Sequence, residues 1–151
     1  RKLSGPILDR IDIHIHMDQL VVKKDKFLRS LSIKDRKTKE QTQRIAEKIL
    51  RGQNHAAERN KKWNLFYNRD LKAEHIVEAF ALDEKSFEQM IESHNLEKLS
   101  TRAFLKVLKV SRTLADLEES LSVQTKHLKK ALNWTQQSCA KQRGDSAYGL
   151  A

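Results

Sequence analysis

The sequence predicts a mainly α-helical protein, a helical bundle preceded by one short strand, and three observations carry that reading. Apolar residues recur at helical spacing through most of residues 38–135. Asp83, Ser100 and Ser122 each stand immediately before such a run, where a side-chain oxygen can accept from the free N–H groups of a first helical turn. In one place only, Ile11, Ile13 and Ile15 alternate with Asp12, His14 and His16, a period of two that reads as a strand with one buried face.

Taken in order, the chain opens on "RKLSGPILDRIDIHIHM", a tight turn, an Asp-Arg pair and the alternating run, without an initiating methionine. That opening reads as though cut from something larger. Residues 1–18 form the first unit, and residues 19–37, which hold no sustained period, are a basic connector. Next, Ile45, Ala46, Ile49, Leu50, Gln53, Ala56 and Ala57 fall on one stripe of a long helix within residues 37–62, with Gly52 as a point where it loosens. "LKAEHIVEAFAL" gives a short helix and "EKSFEQMIESH" a second, capped by Asp83.

Ser100 caps the strongest helix, "TRAFLKVLKVSRTLADLEE". Phe104, Val107, Leu108, Ser111, Leu114 and Ala115 share its apolar face, while Arg102, Lys106 and Lys109 lie opposite, so one face packs and the basic face is free. Ser122 caps the last helix, "VQTKHLKKALNW", and the apolar-poor residues 136–151 read as a disordered tail.

Composition narrows the function. With 151 residues, 38% hydrophobic and 33% charged, the chain builds one compact domain plus tails. It holds no run of some eighteen apolar residues, so neither a membrane span nor a secretory leader is expected. A single cysteine, Cys139, makes no internal disulfide, and the natural setting is a reducing cytoplasm. His14 and His16 would share a strand face, yet no third ligand for a metal can be identified. The four glycines lie outside any phosphate-cradling motif. By residue chemistry alone no catalytic site emerges.

The net charge of +10 is concentrated: residues 21–62 carry fourteen basic and five acidic side chains. Within that stretch Lys37, Lys39, Arg44, Lys48, Arg51, Arg59, Lys61 and Lys62 are the candidate contacts for an anionic partner, most plausibly nucleic acid. A solvated helix face explains the same charges. Arg102 is a different case. It opens a helix whose dipole is positive there and prefers acids, so an external anion is what it would serve, against the plainer alternative of a solvent-screened arginine.

"LSGPILDRIDIHI", "LSTRAFLKVLKVSRTLADLEE" and "VQTKHLKKAL" together resemble the C-terminal portion of magnesium-chelatase-like AAA+ ATPases of the ComM/YifB type. The first motif matches in order through Ser4, Gly5, Pro6, Leu8, Asp9, Arg10, Ile11, Asp12 and His14, and the second through Ser100, Arg102, Leu108, Val110, Arg112, Thr113, Ala115, Asp116 and Leu117. "IKDRKTKEQTQRI" departs from the Gly-Glu-Ser-Ser type segment usual before the long helix.

The resemblance implies that residues 1–18 are the end of an α/β ATPase core and that residues 38–135 are its helical lid domain. Arg10 then corresponds to the arginine finger offered to a neighbouring subunit, and Arg102 to the sensor 2 arginine that begins a lid helix. A guanidinium is always charged and forks onto phosphate oxygens, which suits both positions. ATP and magnesium are the implied cofactors of the whole protein, and the nucleotide-binding loops would lie upstream, leaving this chain inactive alone. The implied partners are that core, neighbouring subunits of a homo-oligomeric ring, and DNA, in processing during recombination or transformation; no membrane partner is expected. An ATPase subunit of a porphyrin magnesium chelatase and a stand-alone basic helical DNA-binding module are the alternatives.

Overall fold

The structure, a computed structural model, describes residues 5–8, 10–15 and 35–144. Its helices are α1 (Gly5–Leu8), α2 (Asp35–Asn60), α3 (Ala73–Phe80), α4 (Glu84–Ser93), α5 (Thr101–Leu117) and α6 (Thr125–Gly144). Short 3-10 turns at Lys61–Trp63, Asn68–Asp70 and Leu96–Lys98 join them. The protein is mainly helical, as its periodicity predicts. Residues 19–34 of the expected connector lie outside the described residues, as do residues 145–151 of the expected tail; α6 itself continues through Gly144.

Two of the three expected caps form. Asp83 accepts from the Ser86 backbone N–H at 2.9 Å and Ser100 accepts from that of Ala103 at 3.3 Å. Ser122 does not cap α6, which begins later, at Thr125. There His127 Nδ1 accepts the Gln124 N–H at 3.0 Å, so a histidine on the first turn occupies the orphan donor that the serine was expected to take.

The core gathers around α5, which packs most extensively on α6 and next on α2. Leu71, Ile76, Phe80, Leu96, Val107, Leu108, Val123 and Leu128 are buried within it, and Phe80 meets Phe87 edge to face at 5.2 Å. The expected apolar face of α5 is the buried one: Val107, Leu108, Ser111, Leu114 and Ala115 are all inside, with Phe104 partly so.

The stripe on α2 is corrected. Ile45, Ile49 and Leu50 are 55%, 45% and 58% exposed, while Ala56 of the same stripe is buried. Burial starts only in its second half, at Gly52, Ala56 and Asn60. Gly52 does not loosen the helix; it lets two helices touch. A Cβ there would sit 2.9 Å from Leu117 Cδ2 and 3.1 Å from Leu117 Cα.

The alternating run is also corrected. Residues 11–15 form no strand, and among the described residues there is no strand for them to pair with. Instead the His14 N–H donates to the Trp134 carbonyl at 2.8 Å, so the segment lies along α6. Period two showed which residues could face a core, while a strand also needs a neighbour to satisfy its backbone.

Candidate functional site

One carboxylate organises the centre of the domain. Asp116 on α5 is 1% exposed and is met by four side chains, among them His55 of α2, whose Nδ1 lies 3.0 Å from Oδ1. Arg112, one turn earlier, donates Nη2 and Nε to Oδ1 at 2.8 and 3.2 Å. Arg59 of α2 forks onto both oxygens, with Nη2 to Oδ2 at 3.1 Å, and Asn68 donates Nδ2 to Oδ2 at 2.7 Å. Burial pushes the Asp116 carboxyl upward, but the Arg59 hydrogen bond, the Arg112 charge and the Asn68 amide together hold it below the usual carboxylate range.

Arg112 is wholly enclosed. Its remaining donors go to the carbonyls of Ala79 (3.1 Å), Leu121 (2.9 Å) and Ser120 (2.6 Å), so all five guanidinium N–H groups are engaged. Desolvation lowers its pKa, and the Asp116 charge opposes that effect. This network closes α2, α5, the Asn68 turn and the α5–α6 connection onto one another. It is missed by sequence reasoning that assigns charged residues to the surface; the available signal was an Arg and an Asp four residues apart, flanking the apolar stripe.

Beside this lock lies an open groove of about 400 Å³, lined by Arg69, Arg102, Lys106 and Lys109, with Asp12 and Thr113. Arg102 sits on the first turn of α5 and is exposed, and among the described residues it has no hydrogen-bond or ion-pair partner. The basic face of α5 is less free than the sequence suggests. Lys109 Nζ donates to the Arg69 carbonyl at 2.6 Å, and Lys106 Nζ to that of Ile11 at 3.1 Å. The latter bond brings the segment that follows Arg10 against the Arg102 helix. Arg10 itself is exposed and donates to the Pro6 carbonyl at 3.2 Å.

The eight basic candidates separate into distinct groups. Lys39, Arg44 and Lys48 are exposed along α2 and Lys61 just beyond it, none with an ion-pair partner among the described residues. Arg51 pairs with Glu119 at 3.0 Å, and Lys62 pairs with Glu78 while lying 4.3 Å from the Trp63 ring centroid. Arg59 is turned inward, its side chain 14% exposed and committed to Asp116, and is therefore not a solvent-facing cation. The Lys37 side chain lies outside the described residues. Among the described residues no group of three His, Cys, Asp or Glu could hold a metal ion, and no helix is long and apolar enough to cross a membrane. His16 lies outside that set.

Comparison with known proteins converges on one family. Residues 39–135 match the family described as magnesium chelatase, subunit ChlI C-terminal. The chain is 31% identical over 134 residues to a protein named Competence protein ComM from Haemophilus influenzae, an alignment covering 88% of this chain and 24% of that protein. The chain thus spans about a quarter of that relative's length. No solved structure matches.

Proposed function

Because the chain belongs to the family of the magnesium chelatase subunit ChlI C-terminal domain, we propose that it serves as the lid and arginine-finger region of a ring-forming AAA+ ATPase. The single observation that carries this reading is the placement of Arg102: an exposed guanidinium without a partner among the described residues, on the first turn of a long helix, facing a groove lined by three further cations. The cations lining the groove fit the phosphates of a nucleotide. Bound ATP would supply the phosphoryl group whose transfer drives the ring.

The protein's own part is electrostatic and mechanical. Arg102 meets phosphate oxygens with a forked, permanently charged group, and the helix N-terminus behind it adds favourable potential for an anion. The buried Arg112–Asp116–Arg59 network holds α5 rigidly to α2, so a pull on Arg102 moves the lid as a body. Arg10, exposed on a short turn and bonded to the Pro6 carbonyl, would reach out of its own domain toward a neighbour's nucleotide. The test is nucleotide affinity and turnover of the full-length ATPase carrying Arg102→Ala. Both should fall; unchanged values for both would overturn the reading.

DNA is the proposed substrate of the whole machine, with Lys39, Arg44, Lys48 and Lys61 as contacts, supported by their exposure along one helix and its end. The relative's printed name, a competence protein, favours this side of the family over porphyrin metallation. Replacing these four by glutamine should weaken DNA binding in fluorescence anisotropy and flatten its dependence on salt concentration. An unchanged salt slope would remove α2 from the interface.

A further inference from the structure

The groove that holds Arg102 contains a second guanidinium, that of Arg69 on the Asn68–Asp70 turn. We propose that Arg69 and Arg102 act as a two-armed clamp on the polyphosphate chain of a nucleoside triphosphate. This rests on the reading of Arg102 given above and adds a contact to it.

Three observations support Arg69. Its backbone is fixed: Lys109 Nζ donates to its carbonyl at 2.6 Å, and the preceding Asn68 is buried, bonded to Asp116 at 2.7 Å and accepting from Asn60 at 3.2 Å. Its side chain is nevertheless 79% exposed, with only a long 3.5 Å approach to the adjacent Asp70 and a place 4.8 Å from the Tyr67 ring centroid. A rigidly mounted but loosely engaged arginine loses little on turning toward a ligand.

The charge balance of the groove is the third observation. Among the described residues lining the groove, Arg69, Arg102, Lys106 and Lys109 face one carboxylate, that of Asp12, and the two lysines donate to backbone carbonyls. A concave site with this excess suits an anion that concentrates several charges in a short length. Successive phosphates of a duplex carry one charge each and are spread along a backbone. The triphosphate group is the better match, because the groove offers two guanidinium groups, each able to take two oxygens.

The test uses the 151-residue chain and inorganic tripolyphosphate, followed by isothermal titration calorimetry. Binding is expected for the wild type. Arg69→Gln and Arg102→Gln should each weaken it by about fivefold, the effect of one well-placed but solvent-screened ion pair, while Lys39→Gln, outside the groove, should leave it unchanged. Wild-type affinity in Arg69→Gln, with weakening in Arg102→Gln, would sink the clamp and leave the lid reading intact. No binding at all, or equal weakening by all three substitutions, would overturn both. Orthophosphate binding as tightly as tripolyphosphate would contradict a polyphosphate site. Displacement of tripolyphosphate by a short DNA duplex at lower concentration than by ATP would reassign the groove to nucleic acid.

Discussion

Arg112 and Asp116, one turn apart on α5 and both essentially without solvent exposure, are joined by two hydrogen bonds to the same carboxylate oxygen at 2.8 and 3.2 Å. The motif "SRTLADL" is therefore the seam of the domain. Its arginine ties α5 to the C-terminal end of α3 and to the connection before α6, and its aspartate receives Arg59 from α2. The same helix carries Arg102 on its first turn, so the seam also fixes the position of that side chain's backbone.

Arg112→Met should lower the free energy of unfolding by about 3 kcal/mol, the lower end of the cost of breaking a buried ion pair, because Arg59 and Asn68 still compensate Asp116. Three backbone carbonyls lose a donor at the same time. Arg112→Lys should fail to restore stability, since one ammonium cannot replace five forked donors. Urea denaturation measures both; a loss below about 1 kcal/mol for the methionine variant would show that the seam carries little stability.

Gly52→Ala should destabilise the domain although alanine favours helix by about 1 kcal/mol. The added Cβ would meet Leu117 Cδ2 at 2.9 Å and the Leu117 Cα at 3.1 Å, and overpacking against backbone costs about 1–3 kcal/mol. A lower melting temperature is expected. A higher one would mean that α2 and α5 separate easily.

Glu118 gives a pH signature. Hydrogen bonds from Lys126 and then His127 hold its carboxyl down to about 2 from an ordinary 4.5. A depressed carboxylate stabilises the fold above its unfolded value, because in the window between the two values the unfolded chain binds more protons. The advantage of wild type over Glu118→Gln in urea midpoint should be full above pH 4.5 and shrink as pH falls toward about 2. Salt should reduce it too, since the side chain is 38% exposed. A difference constant across that window would contradict the pairing.

What was legible in the sequence follows a physical pattern. The caps at Asp83 and Ser100 and the buried face of α5 depend on local spacing, and spacing is what a sequence displays directly. The stripe of Ile45, Ile49 and Leu50 is amphipathic yet exposed, because periodicity names the face able to bury and says nothing about whether a neighbour is there. Arg59 reads from sequence as a solvent-facing cation because burial of its charge is stabilised only by a partner distant in sequence, Asp116. The groove joining Asp12, Arg69 and Arg102 is likewise a product of tertiary packing.

The central claim is that two arginines of this chain serve nucleotide in different subunits, and mixed assemblies of the full-length ATPase test it most directly. ATP turnover is measured after mixing Arg10→Ala subunits, or Arg102→Ala subunits, with subunits disabled in their own phosphate-binding loop. A finger acts in trans, so the first mixture contains interfaces with an intact pocket and an intact finger, and turnover should partly return. A lid arginine acts on its own subunit's nucleotide, so the second mixture has no intact pocket anywhere and should stay inactive. Recovery in the second mixture, or none in the first where mixed rings form and each interface fires independently, would contradict the account.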